Sequence, residues 1–125
     1  MKEKIEVIIV DDENSVCMSL SEHLLDQGYN VSYYLTAEEA LQQLEMNEPD
    51  IMIVDIRLPG MDGTKFIVKA NEFNSDIKYL IHTGSVAFSL PDYITELGLT
   101  PDHVVKKPVK DLNIFNEKIE MLINS

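Results

Sequence analysis

The sequence predicts an α/β fold: a five-stranded parallel sheet, doubly wound, with helices on both faces. Three observations carry this. Apolar, β-branched runs alternate with segments of helical period all along the 125 residues. The runs Ile5 to Val10 and Ile51 to Val54 are apolar without interruption or nearly so, as strands buried on both faces require. Every connection is short, and strands that alternate with helices over short connections lie parallel in one sheet.

The first strand, Ile5 to Val10, ends in Asp11-Asp12. A helix follows from about Glu13 to Gln27, with Val16, Leu20 and Leu24 at helical spacing, and Gly28 stands where a left-handed C-terminal cap is wanted. Tyr29 to Leu35 is the second strand. Thr36-Ala37-Glu38-Glu39 fits a capping box that opens a helix carrying Ala40, Leu41 and Leu44 and stopping before Pro49. Ile51 to Val54 is the third strand, and it ends abruptly in one carboxylate, Asp55. Pro59, Gly60 and the Asp62-Gly63 pair then mark a turn.

Gly63 to Phe73 is a helix with Phe66, Ile67, Ala70 and Phe73 on one face. Ile77 to His82 is the fourth strand, followed by Thr83-Gly84-Ser85 and an irregular stretch to Leu90. Pro91 suits the first turn of a short helix that ends near Gly98. His103 to Lys106 is the fifth strand, followed by Lys107-Pro108. The last helix, about Lys110 to Asn124, sets Leu112, Phe115, Ile119 and Leu122 on one side. No repeat or linker divides the chain, so residues 1–125 read as a single domain of ordinary size.

Composition excludes several classes. The formal net charge of −12 opposes direct nucleic-acid binding, which needs a cationic face to displace counterions. No apolar run approaches the ~20 residues of a membrane span. The start, Met-Lys-Glu-Lys-Ile-Glu, enters a strand without a signal-peptide pattern, and Cys17 is the lone cysteine, so a reducing, cytoplasmic setting is expected. His23, His82 and His103 lack the spacing of zinc ligands and read as packing or surface residues.

In such sheets ligands bind outside the carboxyl ends of the strands. Asp11, Asp12, Asp55, Thr83 and Lys107 all fall there. Taken singly each has a plain structural role: a charge pair at a helix start, a turn residue, a solvated lysine. Together at one edge they form a chemistry. Carboxylates ~4 Å apart repel by roughly 1 to 4 kcal/mol per pair, depending on the local dielectric. Lys107 can offset one charge, and a hard divalent cation, best Mg2+, the rest. A carboxylate beside such a cation, a hydroxyl and an ammonium is equipped for phosphoryl transfer, with Asp55 as nucleophile.

The ordered set Val10-Asp11-Asp12, Val54-Asp55-Ile56-Arg57-Leu58-Pro59-Gly60-Met61-Asp62-Gly63, Thr83-Gly84 and Lys107-Pro108 resembles the receiver domains of bacterial two-component response regulators over essentially the whole length. The resemblance implies a flavodoxin-like sheet of strand order 2-1-3-4-5. It implies that Asp55 accepts a phosphoryl group from a histidine kinase or phosphotransfer protein. Asp12, Asp55 and the Arg57 backbone carbonyl would ligate Mg2+, with Asp11 acting through water. Thr83 would be the switch hydroxyl, Lys107 the phosphoryl-binding lysine, and the Lys107–Pro108 bond cis. Arg57 and Ser85 flank the path of attacking water and would tune the lifetime of the acyl phosphate. The domain would turn over only its own phosphoryl group. Its output would be a protein contact, a homodimer formed on phosphorylation, or an effector domain further along a longer chain, through helix 4, strand 5 and helix 5.

Two departures from the family pattern stand out. Receivers often carry a Tyr or Phe three residues before the lysine; here the position holds Val104, with His103 and Phe88 as the rings that could replace it. Valine cannot report a rotation, so the aromatic half of the switch is expected to be absent. The segment from Thr83 to Lys107 is also long, and Val86 to Pro91 interrupts the expected start of helix 4. Rival readings fit less well. An aspartyl-phosphate phosphatase needs a second acid where Arg57 stands, a flavin module needs a phosphate cradle where Asp11-Asp12 would repel one, and a receiver-like partner-binding module has no use for the complete site.

Overall fold

The computed structural model describes residues 4–124. Residues 1–3 of the predicted leaderless start, and Ser125, lie outside the described residues. Seven strands and five helices follow in the order β1 (Glu6–Val10), α1 (Asn14–Asp26), β2 (Asn30–Tyr34), α2 (Ala37–Gln43), β3 (Ile51–Val54), β4 (Arg57–Leu58), β5 (Met61–Asp62), α3 (Gly63–Phe73), β6 (Lys78–Thr83), α4 (Asp92–Thr95), β7 (Val104–Lys106) and α5 (Asn113–Ile123), with a 3-10 turn at Pro101–His103. The main sheet is five-stranded in the order β2-β1-β3-β6-β7. Its pairings are parallel throughout. Setting aside the small β4–β5 hairpin, this is the expected order 2-1-3-4-5.

Strand alternation sends successive side chains to opposite faces, and two cores result. Ile8, Val10, Met52, Val54, Tyr79 and Ile81 pack with Ala40 of α2, Phe66, Ile67 and Ala70 of α3, and Ile94 of α4. Val7, Ile9, Ile51, Ile53, Leu80 and Val105 meet Cys17, Leu20 and Leu24 of α1 and Phe115, Ile119 and Leu122 of α5. A strand covered on both sides can afford no polar alternation, which is why β3 reads Ile-Met-Ile-Val. No helix of the described residues is long and apolar enough to cross a membrane.

Local differences from expectation have identifiable causes. Arg57 and Asp62 pair as an antiparallel hairpin inside what reads as a turn, because Gly60 takes a left-handed φ of +76° and folds the loop back. Phe73, the last residue of α3, is 54% exposed rather than on the buried face of the helix. Pro91 sits at the N-cap of α4 rather than in its first turn. The last helix begins at Asn113, so Leu112 is its N-cap. At α2 the Thr36 hydroxyl accepts from the Glu39 N–H at 3.2 Å, but Glu39 returns its carboxylate to the hydroxyl rather than to the Thr36 amide. Gly28 takes a φ of +95°, as the end of α1 requires.

Candidate functional site

Sheet register assembles the candidate site. Val10 pairs with Val54, Val54 with Ile81, and Thr83 with Lys106. The ladder then runs one residue further on each strand: Asp11 N–H donates to the Tyr34 carbonyl at 3.2 Å, Asp55 N–H to Val10 at 2.9 Å, and Lys107 N–H to Thr83 at 2.8 Å. Backbones locked in this way deliver Asp11, Asp55, Thr83 and Lys107 to one edge.

The carboxylates of Asp11, Asp12 and Asp55 each offer an oxygen within 4.8 Å of the others. Asp11 and Asp55 are 1% and 5% exposed, whereas Asp12 faces solvent. The donor set is hard oxygen, with an open side at Asp12, which suits a cation that retains water. Cys17 adds no ligand, for its thiol donates to the Asp11 carbonyl at 3.3 Å and burial pushes its pKa up to about 12.

Lys107 Nζ lies 2.9 Å from Asp11 Oδ2, 3.0 Å from Glu13 Oε1 and 3.5 Å from Asp55 Oδ2. Burial disfavours its charge, but hydrogen bonds to Asp11 and Glu13 and the fields of Asp11 and Asp55 outweigh that and hold its pKa above the ordinary lysine value. Burial raises the Asp11 carboxyl, opposed by hydrogen bonds from Lys107 and the Glu13 amide and reinforced by the charge of Asp55. The Lys107–Pro108 peptide is cis.

Thr83 is 1% exposed, and its hydroxyl oxygen accepts from the Ser85 N–H at 3.1 Å. The Ser85 carbonyl in turn accepts from Lys106 Nζ at 3.1 Å. Arg57 is exposed on β4, and its N–H approaches Asp55 Oδ1 at 3.4 Å. Asp11, Asp12, Lys107 and the Arg57 amide therefore lie against Asp55, and Thr83 ends the neighbouring strand at the same sheet edge. Val104 is half-buried beside Phe88 and Leu90, and the face it shares with α4 holds a cleft of about 450 Å³ lined by Phe88, Leu90, Pro101 and Val104. His103 is occupied elsewhere, its Nδ1 accepting from the Thr100 N–H at 2.9 Å.

Two contributors escaped the sequence reading. Glu13 read as the start of a helix, yet its side chain crosses to Lys107. Gly63 read as a turn residue, yet a Cβ there would lie 2.1 Å from the Asp55 carbonyl oxygen. An acid directly after Asp11-Asp12 was a visible signal for the first; nothing in the linear sequence carried the second.

A doubly wound parallel sheet that carries acids, a hydroxyl and a lysine at its carboxyl edge is equipped for phosphoryl chemistry. Residues 7–118 match the family model of the response regulator receiver domain, and the chain belongs to that family, whose known role is phosphorylation-based signalling in two-component systems. It is 31% identical over 110 residues to regulatory protein VanR of Enterococcus faecium, covering 88% of this chain and 46% of that protein. It is 28% identical over 118 residues to response regulator receiver protein CpdR of Brucella abortus, covering 94% and 96%. Against VanR and the mycobacterial regulators PrrA, the chain spans less than half of the relative's length, 46% and 43%. Among solved structures, a CheY-like receiver domain protein from Methanospirillum hungatei JF-1 superposes with a TM-score of 0.80 at 28% identity, covering 98% of this chain and 96% of that one. Response regulator TrrA of Thermotoga maritima, solved in complex with Mg2+ and a beryllium fluoride, gives a TM-score of 0.81 at 25% identity, covering 94% and 98%.

Proposed function

We propose that Asp55 is the phosphoacceptor of this receiver, taking a phosphoryl group from a histidine kinase or phosphotransfer protein. The observation that carries this is the environment of its carboxylate. It is nearly buried, within 4.8 Å of two further acids, and 3.5 Å from the Lys107 ammonium. An Asp55 oxygen attacks phosphorus, the bond from phosphorus to the donor atom breaks, and the donor leaves with the electron pair and takes a proton from solvent. Lys107 holds a phosphoryl oxygen as charge builds on it. Thr83 accepts from the Ser85 amide through an oxygen lone pair, which leaves its O–H free to donate a hydrogen bond to another.

Asp12, Asp55 and the Arg57 carbonyl would hold Mg2+ directly and Asp11 through water; the all-oxygen donor set supports this ion. When bound it would neutralise the phosphoryl oxygens and the crowded acids. Arg57 and Ser85, each two residues beyond a site residue, Asp55 and Thr83, set how long the acyl phosphate survives water. The domain acts on no substrate beyond its own phosphoryl group. Phosphorylation adds about −1.5 to −2 charges, and the movement of Thr83 and Lys107 toward them shifts the population of a surface around α4, β7 and α5. A protein effector, a second copy, or an output domain elsewhere in a longer chain would read that surface. A cytoplasmic setting suits the buried free thiol of Cys17.

The test is incubation with Mg2+ and acetyl phosphate. A base-labile phosphoryl adduct is expected in the wild type, absent in Asp55→Asn, with Asp12→Asn needing far more Mg2+. An adduct that persists in Asp55→Asn would reject the assignment.

A further inference from the structure

Glu13 stands at the N-cap of α1, where a short polar side chain ordinarily accepts a hydrogen bond from its own helix. It makes no such bond. Its backbone N–H instead donates to Asp11 Oδ1 at 2.9 Å, and its carboxylate accepts from Lys107 Nζ at 3.0 Å. One residue thus grips both members of the Asp11–Lys107 pair.

An ammonium has three N–H donors and no more. In the resting structure its three anionic neighbours are Asp11, Glu13 and Asp55. A phosphoryl oxygen that Lys107 is to hold before its phosphorus bonds to Asp55 must displace one of them. The side chains of Asp11 and Asp55 are 2% and 7% exposed, whereas Glu13 is 57% exposed. A carboxylate released into water regains its hydration, so Glu13 is the partner that leaves at least cost.

From this geometry we infer that Glu13 is a positioning residue that occupies Lys107 in the resting state and competes with the phosphoryl group for it. The inference rests on the phosphorylation reading above. It makes Glu13 a brake on phosphorylation: the barrier to loading Asp55 includes freeing Lys107 from a third acid.

Removing the negative charge of Glu13 could also act by drawing in an anionic donor, and the experiment separates these. Phosphorylation rates with acetyl phosphate at saturating Mg2+ are compared for wild type, Glu13→Gln, Lys107→Ala and the double variant, with urea unfolding to verify that each is folded. Glu13→Gln is expected to load about two- to fivefold faster, the range an exposed ion pair supports. It should also bind beryllium fluoride with Mg2+ more tightly by a similar factor. In the Lys107→Ala background the same substitution is expected to change nothing, because the competition has no object. An unchanged rate in Glu13→Gln overturns the inference. So does an equal acceleration with and without Lys107, which marks a general charge effect. A wild type that takes no label, or keeps it in Asp55→Asn, overturns the phosphorylation reading and this inference with it.

Discussion

The Tyr93 hydroxyl on α4 lies 2.7 Å from Thr64 Oγ1 in the first turn of α3. Thr64 itself donates to Asp62 Oδ1 at 2.6 Å. A carboxylate only accepts, so the direction is settled: Tyr93 donates to Thr64, and Thr64 to Asp62. Asp62 closes the hairpin that follows Asp55. The short helix α4 is thereby tied to the loop of the candidate phosphorylation site without any contribution from the position held by Val104.

Tyr93→Phe keeps the ring and removes the donor. It is expected to cost about 0.5–1.5 kcal/mol, the usual net worth of one such bond, read from the urea midpoint at unchanged slope. Amide exchange should quicken in α4 and not in β1 or β3. Thr64→Val should cost more, since Thr64 is buried and the substitution breaks two bonds. Uniform acceleration across the protein would show that the link is not local.

Gly63→Ala separates sterics from propensity. Gly63 opens α3, where alanine is the better helix former by about 1 kcal/mol. A Cβ would nevertheless stand 2.1 Å from the Asp55 carbonyl oxygen and 2.8 Å from Ile56 Cα, and both are backbone that cannot swing aside. The expected result is a loss of about 1–3 kcal/mol or more in urea unfolding, with Asp55 displaced and phosphorylation lost. A neutral or stabilised variant would mean that the hairpin yields freely.

His82 predicts an acid dependence of stability. It is 5% exposed, neither ring nitrogen has a hydrogen-bond partner, and its ring stands edge-on to Phe115 at 5.0 Å. Burial, aided by the charge of Lys107 and opposed by Glu13, pushes its pKa down to about 4. Between that value and the ordinary 6.5 the unfolded chain binds the proton and the native protein does not. Stability from this source is complete above pH 6.5, falls as the pH drops, and levels off below 4. The total is on the order of 3 kcal/mol. His82→Leu should flatten that part of the curve, and a slope identical to wild type would refute it. His103, also lowered by burial, contributes with the same sign and should remain in the variant.

Much of this was legible in the linear chain. The uninterrupted apolar runs at β1 and β3 announce strands covered on both faces, and the ordered Asp11-Asp12, Asp55, Thr83 and Lys107 announce one edge, because parallel strands bring their carboxyl ends together. Less legible were relationships with no sequence period. The contact of Gly63 with the Asp55 carbonyl, and the link from Tyr93 through Thr64 to Asp62, depend on how a six-residue hairpin folds over the sheet. The short α4 after an irregular chain to Leu90 was legible at Pro91, and only its end, at Thr95 rather than near Gly98, was not.

The sequence by itself determined the class of fold, the strand order through its resemblance, and the set of residues that meet at the sheet edge. Burial pattern and strand polarity are properties of short segments, and they are written locally. Only the tertiary structure decided which partners Lys107 holds and which of them is free to leave. That choice turns on distances and solvent exposure across α1, β3 and β7, which no single segment encodes.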